Sequence, residues 1–433
     1  MNTTNSKVQT QTQENNLSRN FQVSQKQKQS QDKKMPSFTI TNLPDDILYH
    51  IFSFLDVKSL CRICQVCRFF KYLSNKDCVW LQHLNSRPVL IESALSYSEF
   101  KYGGYIHRRT SSSFDRKTQY KASLNWSNGA FRETSQVSHG TRLMPWIQKV
   151  ESNLWMSTKN IIRCFCVQKN GNLRERKNRQ LYGLNDDVSR FIIKDDVTVG
   201  ACRDGSVCGW KNESCDMMFK YDELHDSEVH CVDFYDQTMV SGSRDKTVKV
   251  VSMKPERDAT DLLKKTIYMG DRVWSIKLSP CGSLLATGTA GNKGLPALTT
   301  WDLKTGEMLS TLDPDHQAGA GILDIKFETP HTLLTCGYDT NLSMWDLRTD
   351  TCVARWTEPF DSTVYCFQTD GNYSIVTGTA RYGMTRLWDK RKTISIQQYY
   401  SGRNRSSPVY SLVFDPGRLY VALDIGIHKL DFT

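Results

Sequence analysis

The sequence predicts an α+β multidomain chain: a small all-α module near the N-terminus, then an all-β propeller whose repeats favour seven blades. Three observations predict it. Leu43, Ile47, Leu48, Ile51, Phe52 and Leu55 fall at the i, i+3, i+4, i+7 spacing of one helix face. From about residue 140 a short apolar block returns seven times, starting at Met144, Val188, Val229, Val273, Ile322, Val364 and Val409. The intervals are 44, 41, 44, 49, 42 and 45 residues, in units of alternating strands, which is the period of propeller blades rather than of helical pairs.

The helical module comes first. Pro44 sits just inside the start of its first helix, with Asp45 and Asp46 in the first turn, where free N–H groups and the dipole favour them. Asn42 is the expected N-cap. A second apolar series follows Asp56 (Val57, Leu60, Ile63, Cys64, Cys67), a third holds Phe70 and Leu73, and a last carries Val79, Trp80, Leu81 and Leu84. So small a unit is marginal alone and has more large apolar side chains than it can hide. Each one left in water forgoes roughly 1.5–3 kcal/mol of burial, so a surplus stripe argues for a partner.

The pattern Leu43-Pro44, Ile47-Leu48, Ile51-Phe52 and Leu55, followed by Val66-Cys67-Arg68 and Trp80, resembles an F-box. The resemblance implies that Leu43, Pro44, Ile47, Leu48, Ile51, Phe52 and Leu55 dock onto the Skp-type adaptor of a cullin–RING ubiquitin ligase.

The formal charge of +10 is uneven. Residues 1–34 carry +4, residues 101–132 carry +6 and residues 163–179 carry +5, which leaves the rest of the chain at −5. The basic character therefore belongs to a tail, a connector and one loop, and no domain-wide nucleic-acid face is implied. No run of about 20 apolar residues is present, so no membrane span is expected. The N-terminus has no apolar secretory core. Fourteen cysteines without a dense small framework fit a reducing compartment, cytoplasm or nucleus.

In order along the chain, residues 1–36 are a Gln-rich tail expected to be disordered. Residues 37–85 are the helical module. Residues 86–130 read as one short helix around Leu90, Ile91, Leu95, Tyr97 and Phe100, followed by a basic connector. Residues 131–433 are the propeller. Its third strands close with Trp301-Asp302, Trp345-Asp346 and Trp388-Asp389, while Trp210 keeps only the aromatic. These units resemble WD repeats. The last unit lacks its outermost strand, and Phe131–Val137 is available to supply it from the other end of the propeller, closing the ring.

In WD proteins the residue after the first-strand Val and the residue before the turn Asp point to one face, near the central channel. The resemblance, carried over position by position, places Lys159, Arg203, His230, Arg244, Trp274, Tyr338, Tyr365 and Tyr410 there, with Arg381 beside Ala380. That is one basic arc and one aromatic arc. Arginine matches carboxylate or phosphate with planar forked donors, and aromatics are frequent peptide anchors. An acidic or phosphorylated peptide and an uncharged peptide both fit.

Catalytic signatures are missing: there is no Walker glycine loop, no HExxH and no G-x-S-x-G. Cys61-x-x-Cys64-x-x-Cys67 has metal-like spacing, but on a helix the first and third do not share a face, and no fourth ligand follows. Neither metal nor cofactor is expected. Module order and the stretches Phe131-Arg132-Glu133 and Trp146-Ile147-Gln148 resemble one branch of the F-box/WD-repeat proteins. That resemblance implies a non-catalytic substrate-recognition subunit of an SCF-type ubiquitin ligase. The rival readings are a ligase-independent WD scaffold and a propeller that contacts nucleic acid through Arg174, Arg176, Lys177 and Arg179.

Overall fold

The computed structural model describes residues 39–84, 114–253, 263–312, 316–402 and 406–433. The N-terminal tail and the clusters from Leu90 to Phe100 lie outside the described residues. The chain divides into two compact units, residues 1–74 and 75–433.

In the first unit a 3-10 turn, Ile40–Asn42, precedes α1 (Asp45–Ser53), α2 (Val57–Ile63) and α3 (Arg68–Ser74). Pro44, not Asn42, caps α1: its carbonyl accepts from the amides of Ile47 (3.1 Å) and Leu48 (3.2 Å), while Asn42 is held in the preceding turn. Proline suits this place because no N–H is needed there. Asp56 caps α2, its Oδ1 accepting from the Ser59 amide at 3.2 Å. Leu48, Phe52, Leu60 and Leu73 form the interior, and Phe52 meets Phe70 edge-on at 5.6 Å.

The second unit opens with α4 (Asp77–Leu84) and α5 (Arg116–Asn128). Residues 116–128, read from sequence as part of the basic connector, are thus a docked helix. Asp115 accepts from the Thr118 amide at 2.8 Å to start it, and Gly129 ends it in the left-handed region at φ 67°. Trp80 of α4 packs on Tyr120 of α5, ring centroids 5.5 Å apart. Trp126 is fully buried against the propeller: it stacks on Phe432 at 3.7 Å, and its Nε1–H donates to the Pro416 carbonyl at 3.0 Å. The Tyr399 hydroxyl donates to the Trp126 carbonyl at 2.7 Å.

Among the described residues the rest is seven four-stranded antiparallel sheets, as the repeat count predicts. The inner strands of blades one to seven are Ile147–Val150, Val188–Lys194, Val229–Tyr235, Val273–Leu278, Ile322–Thr329, Val364–Thr369 and Ser411–Asp415. Each touches the next, and the seventh touches the first, so they surround a central channel. Six blades are local in sequence, whereas the seventh takes its outer strand, Arg132–Ser138, from the far end of the propeller. Arg132 pairs with Asp431 and Val137 with Ile427, the closure expected of Phe131–Val137.

Apolar side chains fill the spaces between blades. Gly242 and Gly378, each in a second strand, show how close the packing is. A Cβ on Gly242 would come 2.6 Å from Val273 Cγ1, and one on Gly378 would come 2.5 Å from Val409 Cγ1. The Trp-Asp tryptophans share one bond: Trp301, Trp345 and Trp388 each donate Nε1–H at 2.9 Å to the hydroxyl of Thr287, Thr335 and Thr377. Blade three has Val251 in place of the tryptophan, and Ser241 bonds His225 Nε2 instead at 2.8 Å. His225 Nδ1 in turn meets Asp245 at 2.8 Å.

Candidate protein-docking surfaces

The first surface lies on α1. Ile47, Ile51 and Phe54 recur at i, i+4 and i+7 and remain 47 %, 37 % and 75 % exposed. Pro44 is exposed beside them, and Leu43 and Leu55 are half-buried. Leu48 and Phe52 are corrected from the expected docking set to the interior, because α1 carries two apolar stripes and the one that meets α3 contains them. Phe54, which the expected set omits, is signalled by its place seven residues after Ile47.

The second surface is one end of the propeller, and a backbone device repeats around it. Strand register slips at Val188/Arg190, Val229/Cys231, Val273/Ser275, Ile322/Asp324 and Val364/Cys366. Each slip leaves one residue unpaired: Ser189, His230, Trp274, Leu323 and Tyr365. Such a bulge re-aims its side chain. At the same end, in blades two to six, the residue after the second strand is tied to the loop before the inner strand. The Arg203 amide donates to Asp187 O at 3.1 Å, Arg244 to Glu228 O at 2.9 Å and Tyr338 to Gly321 O at 2.9 Å. The backbone thus presents two positions on each of blades two to six, and the sequence decides what stands there.

His230 stacks on Trp274 with ring centroids 4.5 Å apart and planes 26° apart. Tyr365 meets Tyr338 edge-on at 6.4 Å and Tyr410 at 6.3 Å. Arg190 and Trp146 belong to this group although the positional rule passes over them. Arg190 reaches from blade two to the opposite blade five, donating to Leu323 O at 3.2 Å and lying 3.4 Å from Asp324 Oδ1. Its guanidinium lies over the Trp146 ring at 4.0 Å. Both were present in the blocks beginning at Met144 and Val188, but reach across a channel has no local signature.

Of the basic arc, Arg244 alone has a carboxylate at ion-pair distance among the described residues. Arg244 faces Glu228 at 3.6 Å and Arg142 faces Asp424 at 3.4 Å, while the Arg203 Nη2 lies 3.6 Å from Met144 Sδ. Lys159 and Arg381 are exposed, and among the described residues no hydrogen bond, ion pair or ring contact joins their side chains to this group. Burial pulls the His230 imidazole down to about 4; Glu228 opposes the fall, and Arg190, Arg244 and Arg203 add to it. Burial, then Asp424, raises the Tyr410 hydroxyl, against Arg142 and Arg203. Arg203 thus lies within electrostatic reach of both arcs. Four polar atoms of the group are buried without a hydrogen bond: His230 Nε2, Trp274 Nε1, Asp324 Oδ2 and Asp424 Oδ1. Among the described residues no cluster of three or more His, Cys, Asp or Glu is placed to hold a metal ion.

A family model described as F-box-like matches residues 40–86, and one described as WD domain, G-beta repeat, matches residues 220–252. The F-box/WD repeat-containing protein 4 of Mus musculus is 38 % identical over 394 residues, covering 90 % of this chain and 92 % of that protein. This chain belongs to the F-box/WD repeat-containing protein 4 family. The Homo sapiens member of that family is 37 % identical over the same shares. A more distant relative of this F-box/WD-repeat chain is the "Probable E3 ubiquitin ligase complex SCF subunit sconB" of Talaromyces marneffei. That protein is 26 % identical over 219 residues, 50 % of this chain and 29 % of its own length. The crystal structure of the computationally designed Ika8 protein has a TM-score of 0.53 and 17 % identity, covering 69 % of this chain and 98 % of the design. At that identity it shows the fold alone.

Proposed function

We propose that this protein is the substrate-recognition subunit of an SCF-type (Skp–cullin–F-box) ubiquitin-protein ligase. The helical module docks the Skp-type adaptor, and the propeller captures a substrate protein for ubiquitination and proteasomal degradation. The observation that carries the reading is the apolar stripe of Ile47, Ile51 and Phe54, left in water on α1 of a matched F-box-like span. The sconB relatives, named as SCF subunits, support it. The protein contributes proximity rather than covalent chemistry: it holds a substrate lysine where activated ubiquitin reaches it. We place it in the cytoplasm or nucleus, since fourteen cysteines without a dense small framework fit a reducing compartment.

The test is Ile47→Asp combined with Ile51→Asp. Leu48→Asp is unsuitable, since Leu48 is buried and its loss would unfold the module. The double variant keeps the wild-type melting profile and loses co-purification with the Skp-type adaptor and cullin. Undiminished association would refute the docking role and leave a ligase-independent scaffold.

A further inference from the structure

The propeller end that carries His230 and Trp274 narrows the class of substrate, on the reading that the propeller is the capture module. Its rings follow the mouth of the channel: Trp146, His230 and Trp274 on blades one, three and four, then Tyr338, Tyr365 and Tyr410 on blades five to seven. A surface that clamps phosphate needs several guanidinium groups with no carboxylate of their own. Here Arg142, Arg190 and Arg244 each face one, in Asp424, Asp324 and Glu228. Arg190 is further committed to the Leu323 carbonyl and to Trp146. Arg203 has only a thioether as neighbour, and Lys159 on blade one and Arg381 on blade six are exposed without a carboxylate at ion-pair distance among the described residues, so the unpaired cations are spread over three blades rather than gathered into one clamp. Asp204 and Asp245, next in sequence to Arg203 and Arg244, add further negative charge at the same turns.

The second observation is chemical. Trp274 Nε1–H is a donor with no acceptor, and His230 Nε2, on the ring stacked against it, has no partner either. Such atoms also occur elsewhere among the described residues, but this pair is stacked together at the mouth of the channel, where a hydrogen-bonding ligand could satisfy both. The main-chain amides of a peptide supply both a carbonyl for the indole and an N–H for a neutral imidazole.

We propose that this face takes an extended, unphosphorylated peptide segment of the substrate, anchored by one aromatic or large aliphatic side chain among the tyrosines. Trp274 and His230 hold the peptide main chain, and Arg203 accepts at most one acidic group.

The experiment uses the full chain bound to its Skp-type adaptor. Two random libraries of peptides about 12 residues long are selected in parallel, one unphosphorylated and one with a fixed phosphoserine. The expected winners are unphosphorylated, carry an aromatic or large aliphatic residue, and lose less than about threefold in affinity between ~0.1 and ~0.5 M salt. Tyr365→Ala weakens them about tenfold or more, equivalent to ~1.4 kcal/mol. Trp274→Phe, which keeps a ring and removes only the donor, weakens them about three- to tenfold. Arg244→Glu changes them less than about twofold.

Selection confined to phosphoserine peptides overturns the proposal. So does a steep salt dependence abolished by Arg203→Glu with Arg244→Glu, or binding to the Trp274→Phe and Tyr365→Ala proteins as tight as to the wild type, or no selection at all. Adaptor association is measured on the same preparations. If it is lost, the receptor reading itself falls; if it holds, only the substrate class does.

Discussion

Burial keeps the His230 ring neutral, and that has a cost in acid. Its pKa falls from an ordinary 6.5 in the unfolded chain to about 4 in the folded protein, with Glu228, Arg190, Arg203 and Arg244 around it. Above pH 6.5 both states are neutral and the group contributes nothing. Below it the unfolded chain takes up a proton that the folded one refuses, so stability falls as pH drops toward 4, by roughly 3 kcal/mol in all. We expect His230→Gln to remove that part of the acid sensitivity. Urea unfolding of both proteins at neutral pH and near pH 4.5 checks it: the wild type loses more stability between the two than the variant does. Position could be read in the sequence here, because the block Val229-His230-Cys231-Val232 repeats that of its neighbours. Pairing could not. Arg244 reads as a free cation until Glu228 is seen beside it, and Arg190 reads as an ordinary strand residue until blade five is brought opposite.

At the level of the element, Gly242 and Gly378 explain why the second strands read Ser-Gly-Ser and Thr-Gly-Thr. The next blade approaches within the space a Cβ would fill, at Val273 and Val409. Both substitutions to alanine overpack a full core, and each should lower stability by about 1–3 kcal/mol. Thermal or urea unfolding checks it; an unchanged midpoint for both would show that the blades can spread at no cost. The strands were legible because alternation recurs over seven units and one weak unit is read by its neighbours. Helix α5 was not, since Gln119 and Ser123 are buried in it, and only Tyr120, Ala122 and Trp126 mark its inner face. Its caps, Asp115 and Gly129, were present in the sequence, but the dense basic residues around them read as a connector. In α1 the spacing identified the helix but not which of two stripes faced inward, so Leu48 and Phe52 joined Ile47 and Ile51 in one expected set.

At the scale of the whole molecule, architecture was legible and assembly of the site was not. Blade count and ring closure follow from period and from one missing strand, both properties of order along the chain. The convergence of Trp146, Arg190, Asp324 and Tyr410 depends on the ring being closed, which no local pattern encodes. Closure itself is testable. Deleting residues 132–138 leaves the edge of Gly426–Asp431 unpaired, a template for other strands. We expect the truncated protein to self-associate at concentrations where the full chain stays monodisperse in light scattering. A truncated protein that stays as monodisperse as the full chain would show that the seventh blade needs no fourth strand.

The pairing of Arg132 with Asp431 also sets a timetable for biosynthesis. The strand that latches the ring is among the first parts of the propeller to leave the ribosome, and its partner is among the last. At ~5–20 residues per second the early strand waits on the order of 15–60 s with nothing to pair against. Through that interval the nascent chain carries open blade faces at both ends of the growing arc, so the yield of native protein depends on what shields them while translation runs to its end.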